Sequence, residues 1–499
     1  MAVIRDYFIR TFSCDIRSLA VLRMFLGAWV VCDVTARAFN LERHYSDNGF
    51  IPTELAMAMV RDDFGWSLNF ANGSLAYQGL IFASALLCGV ALFIGYRSQL
   101  ASFLCYVLLV SIQNRFPMGV FPGDFVSRSS LLIGAFLPLG AYWSYDCRGS
   151  TPKYWSVFNP GTFAFTAFTI AFIIFTGFSK TGESWSDGTA VFYVLNNIRQ
   201  SSRLFDFLLD YPHLTAFLTH TTVIAEMVGG FLLLSPYFFG PLRTLSSLAM
   251  STLLIGFGLG IQLWLLPFLQ VGCMIGIMPA WFWTTFFGLK KTDFSPLVVG
   301  FRAARLSWIA CGIVSFVMVT DHVRKMFEAS NIRVEALEFP EPIRVFSLAL
   351  GLKNPFAMYR APEKNFNGWE VLVGNLADGR QVNLITKEAA HFDVPKSILE
   401  NYGGFRDRRL FRFLGLKVTG VSLNWDVYNL AVESYIAKYH CAKWIGDQTE
   451  GELRSVQFWR AQYDNTMSPE RRSNFRKELF AEFDCAAMDS YRFNAGGKN

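Results

Sequence analysis

The sequence predicts a polytopic α-helical membrane protein of about nine spans, with a small α+β domain outside the membrane at its C-terminal end. The 499 residues are 52% hydrophobic and 16% aromatic, the mean hydropathy is +0.30, and only 17% are charged. Soluble domains are closer to one quarter charged, and apolar runs of about 20 residues are typical of membrane-crossing helices. Charge density rises near residue 324, which divides the chain into a membrane domain, 1–323, and a tail domain, 324–499.

Apolar stretches separated by short polar segments supply the predicted spans. They run over 18–39, 75–96, 99–112, 126–142, 163–179, 214–239, two within 244–289, and 306–320. Residues 244–289 carry no charge over 46 positions, which is enough for two crossings, with a turn near Leu266-Pro267.

The distribution of basic residues predicts the orientation. Placing the N-terminus in the cytoplasm puts the excess of Lys and Arg into cytoplasmic segments, as the positive-inside rule requires. An odd number of spans then places the tail domain outside, on the same side as the loop 180–210. The N-terminal segment has no signal-peptide pattern, so the first span is expected to be an uncleaved anchor in the plasma (inner) membrane.

The tail contains recognisable local patterns. Residues 369–385 are typical of two strands around an Asp378-Gly379 turn, and 427–444 has helical spacing. Ser468-Pro469 predicts the start of a helix that reaches Met488. If the tail is outside the cytoplasm, Cys441 and Cys485 could form a disulfide, provided that their Cα atoms lie within about 7 Å.

Several function classes are disfavoured. No block of five basic residues occurs, which argues against nucleic-acid binding. The nine cysteines include no C-x-x-C or C-x-x-H spacing, so no metal site is expected. Phosphate-binding glycine loops and the common hydrolase motifs are also missing from the sequence.

Lys180, at the end of the apolar run 163–178, is the residue around which the functional hypotheses are organised. A lysine at a span end commonly extends to the lipid headgroups, whereas a desolvated amine can act as a base. Glu226 lies alone in an apolar segment, where a lone carboxylate is either protonated or paired, and Lys180 and Arg23 are the candidate partners.

Other candidates have a structural alternative as well as a functional one. Asp124 is expected on the same side as Lys180, or else caps a helix. His220 is either functional or forms a hydrogen bond between helices, and Trp143 and Trp185 are typical interfacial anchors. Arg23 and Asp33 are ten positions apart, so they could share one helix face, although ion pairs with other helices would explain them equally well.

Five segments, in order, carry a resemblance. They are 18–27 with Asp33 and 45–49; 95–97; 123–146; 177–180 with Trp185 and 187–188; and Glu226 with 234–236. Together they resemble the vitamin K-dependent γ-glutamyl carboxylase-like family, whose membrane part is called the horizontally transferred transmembrane domain. The tail is similar to those of bacterial members at 355–359 and 367–369.

The resemblance implies that Lys180 deprotonates reduced vitamin K or another quinol. Oxygen addition would then give an epoxide and a strong base that takes a γ-proton from a substrate glutamate, which captures carbon dioxide. Glu226 and Asp124 would tune or receive protons. The quinol-binding residues would include Trp143, Trp185 and His220.

This sequence departs from the family at two places. Gly123 and Asp124 stand where the family has a histidine, and Phe257 and Gly260 stand where it has a His/Asn pair. We therefore expect quinol-oxidising chemistry, whereas these departures argue against glutamate carboxylation. The alternatives are a non-catalytic accessory protein for an exported polypeptide, with the tail as its docking surface, and a lipid or quinone carrier. A buried amine in an apolar cavity would favour the enzyme.

Overall fold

The protein is described from a computed structural model that covers most of the chain. The described residues are 2–61, 64–288, 296–329, 334, 337–352, 367–395, 401–414, 426–445, 451–467, 472–488 and 490–493. The tail segment 355–359 and the predicted helix start at Ser468-Pro469 lie outside these residues.

Helices dominate the chain up to residue 349. They are α1 Ala2–Phe12, α2 Ile16–Ala38, α3 Leu41–Tyr45, α4 Thr53–Arg61, α5 Leu75–Ile94, α6 Ser98–Arg115, α7 Pro122–Gly134, α8 Pro160–Phe178, α9 Glu183–Ser186, α10 Ala190–Asn196, α11 Pro212–Leu232, α12 Phe239–Gly260, α13 Leu266–Gly276, α14 Ala280–Phe287, α15 Arg305–Ala329 and α16 Glu341–Ala349. Short strands β1 Cys14–Asp15, β2 Ser156–Phe158 and β3 Leu297–Val298 form a small sheet in the order β1-β2-β3.

Among the described residues, five helices are long enough and apolar enough to cross a membrane. They are α2, α5, α8, α12 and the part of α15 from Arg305 to Arg324. Helices α13 and α14 meet at 93° and add a sixth if the pair is one broken span. The prediction of nine spans is therefore wrong, whereas a membrane protein with several spans is confirmed.

The predicted number of membrane spans is too high for a physical reason. Helix α7 has 13 residues, about 20 Å, which is too short for a bilayer core of about 30 Å. Most of its side chains are buried in the protein, so its apolar character serves internal packing. Helix α6 begins and ends with polar residues, and α11 is interrupted by threonines, two histidines and Glu226, which lowers the hydropathy of both.

The tail is built on a four-stranded antiparallel sheet in the order β5-β4-β6-β7. The strands are β4 Asn367–Leu376, β5 Gln381–Asn383, β6 Leu453–Asn465 and β7 Arg472–Asp484, and the helices are α17 Phe405–Phe413, α18 Asp426–Ile445 and α19 Cys485–Met488. The predicted hairpin around Asp378-Gly379 is confirmed, with Gly379 at φ +86. The predicted helix 427–444 is confirmed by α18. Cys441 and Cys485 form a disulfide with a Cα–Cα distance of 5.5 Å.

The predicted helix that reaches Met488 is wrong over residues 472–484. The segment RSNFRKELFAEFD contains good helix formers, but it forms β7, paired along its length with β6. Local propensity is a weak prior, and pairing with a neighbouring strand overrides it here.

The tail contacts the membrane domain on one side. Tyr428 donates to the carbonyl of Ala58 at 3.1 Å, and Asn367 donates to the carbonyl of Asn196 at 2.8 Å. These contacts place the tail beside the segment that follows Lys180. The side of the membrane on which both lie stays a prediction.

Candidate functional site

Helices α8 and α11 cross very closely, and this crossing positions the candidate site. A Cβ added to Gly177 would lie 2.9 Å from Met227 Cγ and 3.2 Å from Glu226 Cβ. A Cβ added to Gly230 would lie 2.5 Å from Ile174 on α8. Glycine at both contacts lets the two backbones approach, as small residues do in membrane helix pairs. The residues that directly follow Gly177, including Lys180 just after the end of α8, are thereby held against the middle of α11.

Lys180 and Glu226 meet at this crossing. The Lys180 ammonium donates to Glu226 Oε2, and its side chain folds back so that Nζ also lies 3.2 Å from the carbonyl oxygen of Thr176. The exposed fractions of the two side chains are 3% and 6%. The snorkelling interpretation of Lys180 is therefore wrong, because the amine is enclosed by protein, and the predicted pairing of Glu226 with Lys180 is confirmed.

An apolar cavity of about 320 Å³ adjoins the amine. Its walls come from α10, α11, α12 and the segment after α10, and the lining includes Lys180, Trp185, Val194, Leu208, Thr222 and Phe257. Lys180 Nζ lies 5.4 Å from the centre of the Trp185 ring. Trp185 is buried at the cavity and does not serve as an exposed interfacial anchor.

The cavity has an open side at α12. Thr252 lines it and is solvent-exposed, and Ile255 and Leu259 on the same helix are about half exposed. Because α12 is one of the candidate spans, large exposed apolar side chains on it are suited to contact with lipid. The cavity therefore borders the exposed apolar face of α12.

The Lys180–Glu226 pair can handle one proton. An ammonium has three N–H donors, and two of them are directed to Glu226 and to the Thr176 carbonyl. Transfer of the shared proton to Glu226 leaves a neutral amine, which is the form that accepts a proton from a ligand.

Asp124 lies in a different cluster from Lys180. Its carboxylate accepts from Arg37 at 2.8 Å and from Arg406 at 2.5 Å, and it also accepts from the backbone N–H of Phe121 at 2.7 Å. It thus supports the start of α7 from the third helical position, in line with the structural alternative, although the N-cap itself is Phe121. The structure brings Asp124 together with Arg37, Asp33 and Arg406, and not with the amine of Lys180.

Arg23 and Asp33 also find separate partners. The Arg23 guanidinium donates to the carbonyls of Leu139, Tyr142 and Trp143, between 2.5 and 3.3 Å. Asp33 binds Arg37 on the next helical turn at 2.7 Å and Arg406 at 2.6 Å. Partners on other parts of the chain therefore explain both charges.

Trp143 and His220 do not line the Lys180 cavity. Trp143 is 43% exposed and contacts Tyr142, whose ring in turn packs on Trp155 shortly before the first residue of α8. Lys180 follows the other end of this 19-residue helix, about 28 Å away along its axis. His220 is exposed on α11 beside Gly188.

Sequence reasoning missed the residues that close the cavity. Thr222, Phe205 and Leu208 line it, but in the sequence they are ordinary helix and loop residues with no distinguishing pattern. Arg37 carried a usable signal, because it follows Asp33 by four positions and such residues face each other on a helix. Phe257 and Gly260 line the cavity, and they form one of the two places at which the sequence is expected to depart from the carboxylase-like pattern.

Comparisons with protein-family models, curated proteins and solved structures found no match in any of the three. The resemblance to the carboxylase-like family accordingly stays a prediction. Within the residues that the structure describes, no group of three or more His, Cys, Asp or Glu side chains is placed to hold a metal ion.

Proposed function

We propose that this protein is a membrane enzyme that removes a proton from the hydroxyl group of a lipid-soluble quinol, with Lys180 as the base. The observation that carries the proposal is a buried amine, paired with a carboxylate, that lines an apolar cavity beside a membrane helix. Neither the amine nor the cavity suffices by itself, since an ion pair can be structural and a cavity can be a packing defect.

The cavity fits the ring of a quinol better than a whole isoprenoid quinol. Its volume of about 320 Å³ is at the lower end for small-molecule sites, which span roughly 300–1,000 Å³. A ring would fill it, and an apolar tail would leave past Thr252 along the exposed side of α12. Apart from Lys180, the lining side chains with a polar atom are Thr222, Thr252 and Trp185, so a hydroxyl that enters the cavity finds few competing partners.

Glu226 supplies the charge balance of the proposed step. The neutral amine takes the hydroxyl proton while Glu226 remains protonated, so the ammonium lies next to the ligand oxyanion. This contact places one positive and one negative charge together in a low-dielectric site, where their attraction is strong. A quinol so activated supplies reducing power toward oxygen, and quinol and O₂ give epoxide and water in a balanced reaction.

The first test uses the purified full-length protein in lipid nanodiscs with vitamin K hydroquinone under oxygen, and measures epoxide by mass spectrometry. We expect epoxide from the wild type and a loss of at least 100-fold in Lys180→Met, in the range found for removal of a general base. Lys153→Met is the control because it removes an exposed lysine near the opposite end of α8. Equal turnover in all three proteins, or none in any, would refute the base role.

A carrier without chemistry is the second candidate, and one observation favours it. The Lys180 amine is already satisfied by Glu226 and Thr176, as in a structural ion pair. A carrier would bind the quinol in the wild type with no product. Fluorescence quenching by the quinol, measured beside the epoxide assay, separates binding without turnover from absence of binding.

We further propose that the N-terminus is cytoplasmic, that the tail faces the outside of the plasma (inner) membrane, and that an exported polypeptide is a candidate partner of the tail. Support comes from the Cys441–Cys485 disulfide, since disulfides persist in oxidising compartments and are rare in the cytosol. The tail also lies on the side of the segment that follows Lys180.

A further inference from the structure

A second concave site lies where α5 ends, on the side of the membrane domain away from the tail. Its volume is about 510 Å³, and it is lined by Ile94, Tyr142, Trp143, Ser144, Tyr145 and Arg148 among others. Tyr145 and Trp143 are 49% and 43% exposed. Amphipathic aromatic side chains at the end of a membrane span are typical of the headgroup region of a bilayer.

The loop that forms this site is held in place by the membrane domain. The backbone N–H groups of Tyr145 and Asp146 donate to the carbonyls of Ile94 and Gly95 at 3.0 and 3.1 Å. Trp143 adopts the left-handed region at φ +45, and its carbonyl accepts from the buried Arg23 at 2.5 Å. These hydrogen bonds hold the loop at Trp143, the residue with the left-handed backbone, and just after it. The loop therefore provides a preformed surface.

Exposed apolar residues lead from the bilayer to this site. Leu80, Leu87 and Ile94 on α5 are 62%, 72% and 48% exposed, and their seven-residue spacing places them on one helix face. Between Leu80 and Ile94 the helix rises by about 21 Å, close to the length of an extended acyl chain. Ile94 is at once the last residue of this row and part of the site's wall.

The charge at the mouth of the site is positive. Arg148 is exposed, its guanidinium lies 4.6 Å from the centre of the Tyr145 ring, and it forms no ion pair with any residue that the structure describes. The nearby carboxylate of Asp146 accepts from the backbone N–H groups of Arg97 and Ser98 at 2.9 and 3.1 Å, and from the Ser98 hydroxyl. Asp146 is therefore engaged at the start of α6, and Arg148 is left to bind an anion.

We propose that this site binds an anionic phospholipid, with its phosphate at Arg148 and an acyl chain along the Leu80–Ile94 row. The row of exposed apolar side chains favours a lipid over a free phosphate, and a guanidinium with no ion-pair partner among the described residues favours an anionic headgroup over a zwitterionic one. The lipid would belong to the leaflet opposite the tail, which is the side with the predicted excess of basic residues.

The test measures phospholipid binding to the detergent-purified full-length protein by native mass spectrometry. The probes are long-chain phosphatidylglycerol, long-chain phosphatidylcholine and six-carbon phosphatidylglycerol. We expect the wild type to bind long-chain phosphatidylglycerol more tightly than the other two lipids. Arg148→Ala should bind this lipid about fivefold more weakly than the wild type does, which is the effect of one basic residue at a membrane surface. Arg302→Ala, an exposed arginine near β3 on the same side, should bind like the wild type.

Three results would overturn the proposal. Equal binding of both long-chain lipids would remove the headgroup preference. Equal weakening in the two arginine variants would show non-specific surface attraction. Equal binding of the six-carbon lipid, or full displacement by inorganic phosphate, would identify a simple anion site in which the acyl chain plays no part.

Discussion

The guanidinium of Arg406, in the tail, lies 2.6 Å from the carboxylate of Asp33, in the first membrane helix, across 373 positions of sequence. Asp124 and Arg37 complete a buried cluster of two carboxylates and two guanidiniums, in which the formal charges balance. Trp264 adds a hydrogen bond to Asp33 at 2.9 Å. The tail is thus joined to the membrane domain by side chains that are costly to bury unless they are paired.

Replacing Arg406 by Met should therefore loosen the tail. Removal of one partner of a buried ion pair typically costs about 3–5 kcal/mol, because the remaining charge stays buried. We expect faster proteolysis of the tail and lower thermal stability in detergent. Arg380→Met is the matched control, since its pair with Asp378 is exposed to solvent and contributes little to stability. A variant as stable as this control would show that the cluster does not hold the tail.

The Lys180–Glu226 pair gives a second prediction, on stability rather than activity. Lys180→Met and Glu226→Met should each destabilise by about 3–5 kcal/mol, whereas the double variant should recover most of the loss, because two apolar side chains leave no buried charge. Chemical denaturation in micelles of all four proteins measures the coupling. Additive losses would mean that the two side chains do not interact in the folded protein.

Gly177→Ala should disturb the pair without touching either charge. The new Cβ would lie 2.9 Å from Met227 Cγ and 3.2 Å from the Met227 backbone nitrogen, so α8 and α11 must separate. We expect a loss of about 1–3 kcal/mol and reduced turnover. Gly312→Ala, in α15, is the control, since nothing lies within 4 Å of its added Cβ. If both variants gain stability from alanine's helix propensity, the close crossing is not essential.

Local patterns in the sequence were enough to find the long helices and to name Lys180 as one of two candidate partners of Glu226. A lone charge in an apolar helix requires a partner, and Glu226 has no charged neighbour on its own helix within reach. The signal for the Asp378-Gly379 turn was also local, because the two turn residues are adjacent in the sequence. By contrast, no local signal links Arg406 to Asp33, because their contact depends on how the tail docks. Helix α7 and strand β7 were misjudged because burial within the protein and pairing with β6 decided their structure.

Acid should weaken the docking of the tail. Burial lowers the pKa of His440 to about 3, with repulsion from Arg43 adding to the effect and Asp407 opposing it. Burial also lowers the pKa of His44, although its Nε2 lies 2.7 Å from Asp407. The unfolded chain, with a histidine pKa near 6.5, binds more protons than the folded one below that pH. Stability should therefore fall as the pH drops from about 6.5 towards 3.

Thermal unfolding at pH 7.5 and pH 5 measures this effect. His440→Gln should remove about 2 kcal/mol of the difference, because pH 5 lies about 1.5 units below the pKa of an unfolded histidine and well above that of folded His440. His391→Gln is the control, because His391 is exposed in the tail. An unchanged pH dependence in His440→Gln would show that this imidazole can be protonated within the folded protein.

Cysteine counting tests the side on which the tail lies. The chain has nine cysteines, of which Cys441 and Cys485 are bonded and seven are free. If the tail is exported, protein denatured directly from cells in maleimide should carry seven labels, and nine after reduction. Cys485→Ser should carry eight in both conditions, because Cys441 loses its partner.

The same bond predicts a stability difference that does not depend on the compartment. It closes a loop of 44 positions between α18 and α19, for which the chain-entropy account gives about 4 kcal/mol. Reduction should therefore lower the unfolding temperature of the tail, with the membrane domain much less affected. Nine labels without reduction, in protein that gains stability on oxidation in vitro, would mean that the bond can form but that the tail lies in the cytoplasm. The proposed orientation would then be reversed, and the partner of the tail would have to be a cytoplasmic one.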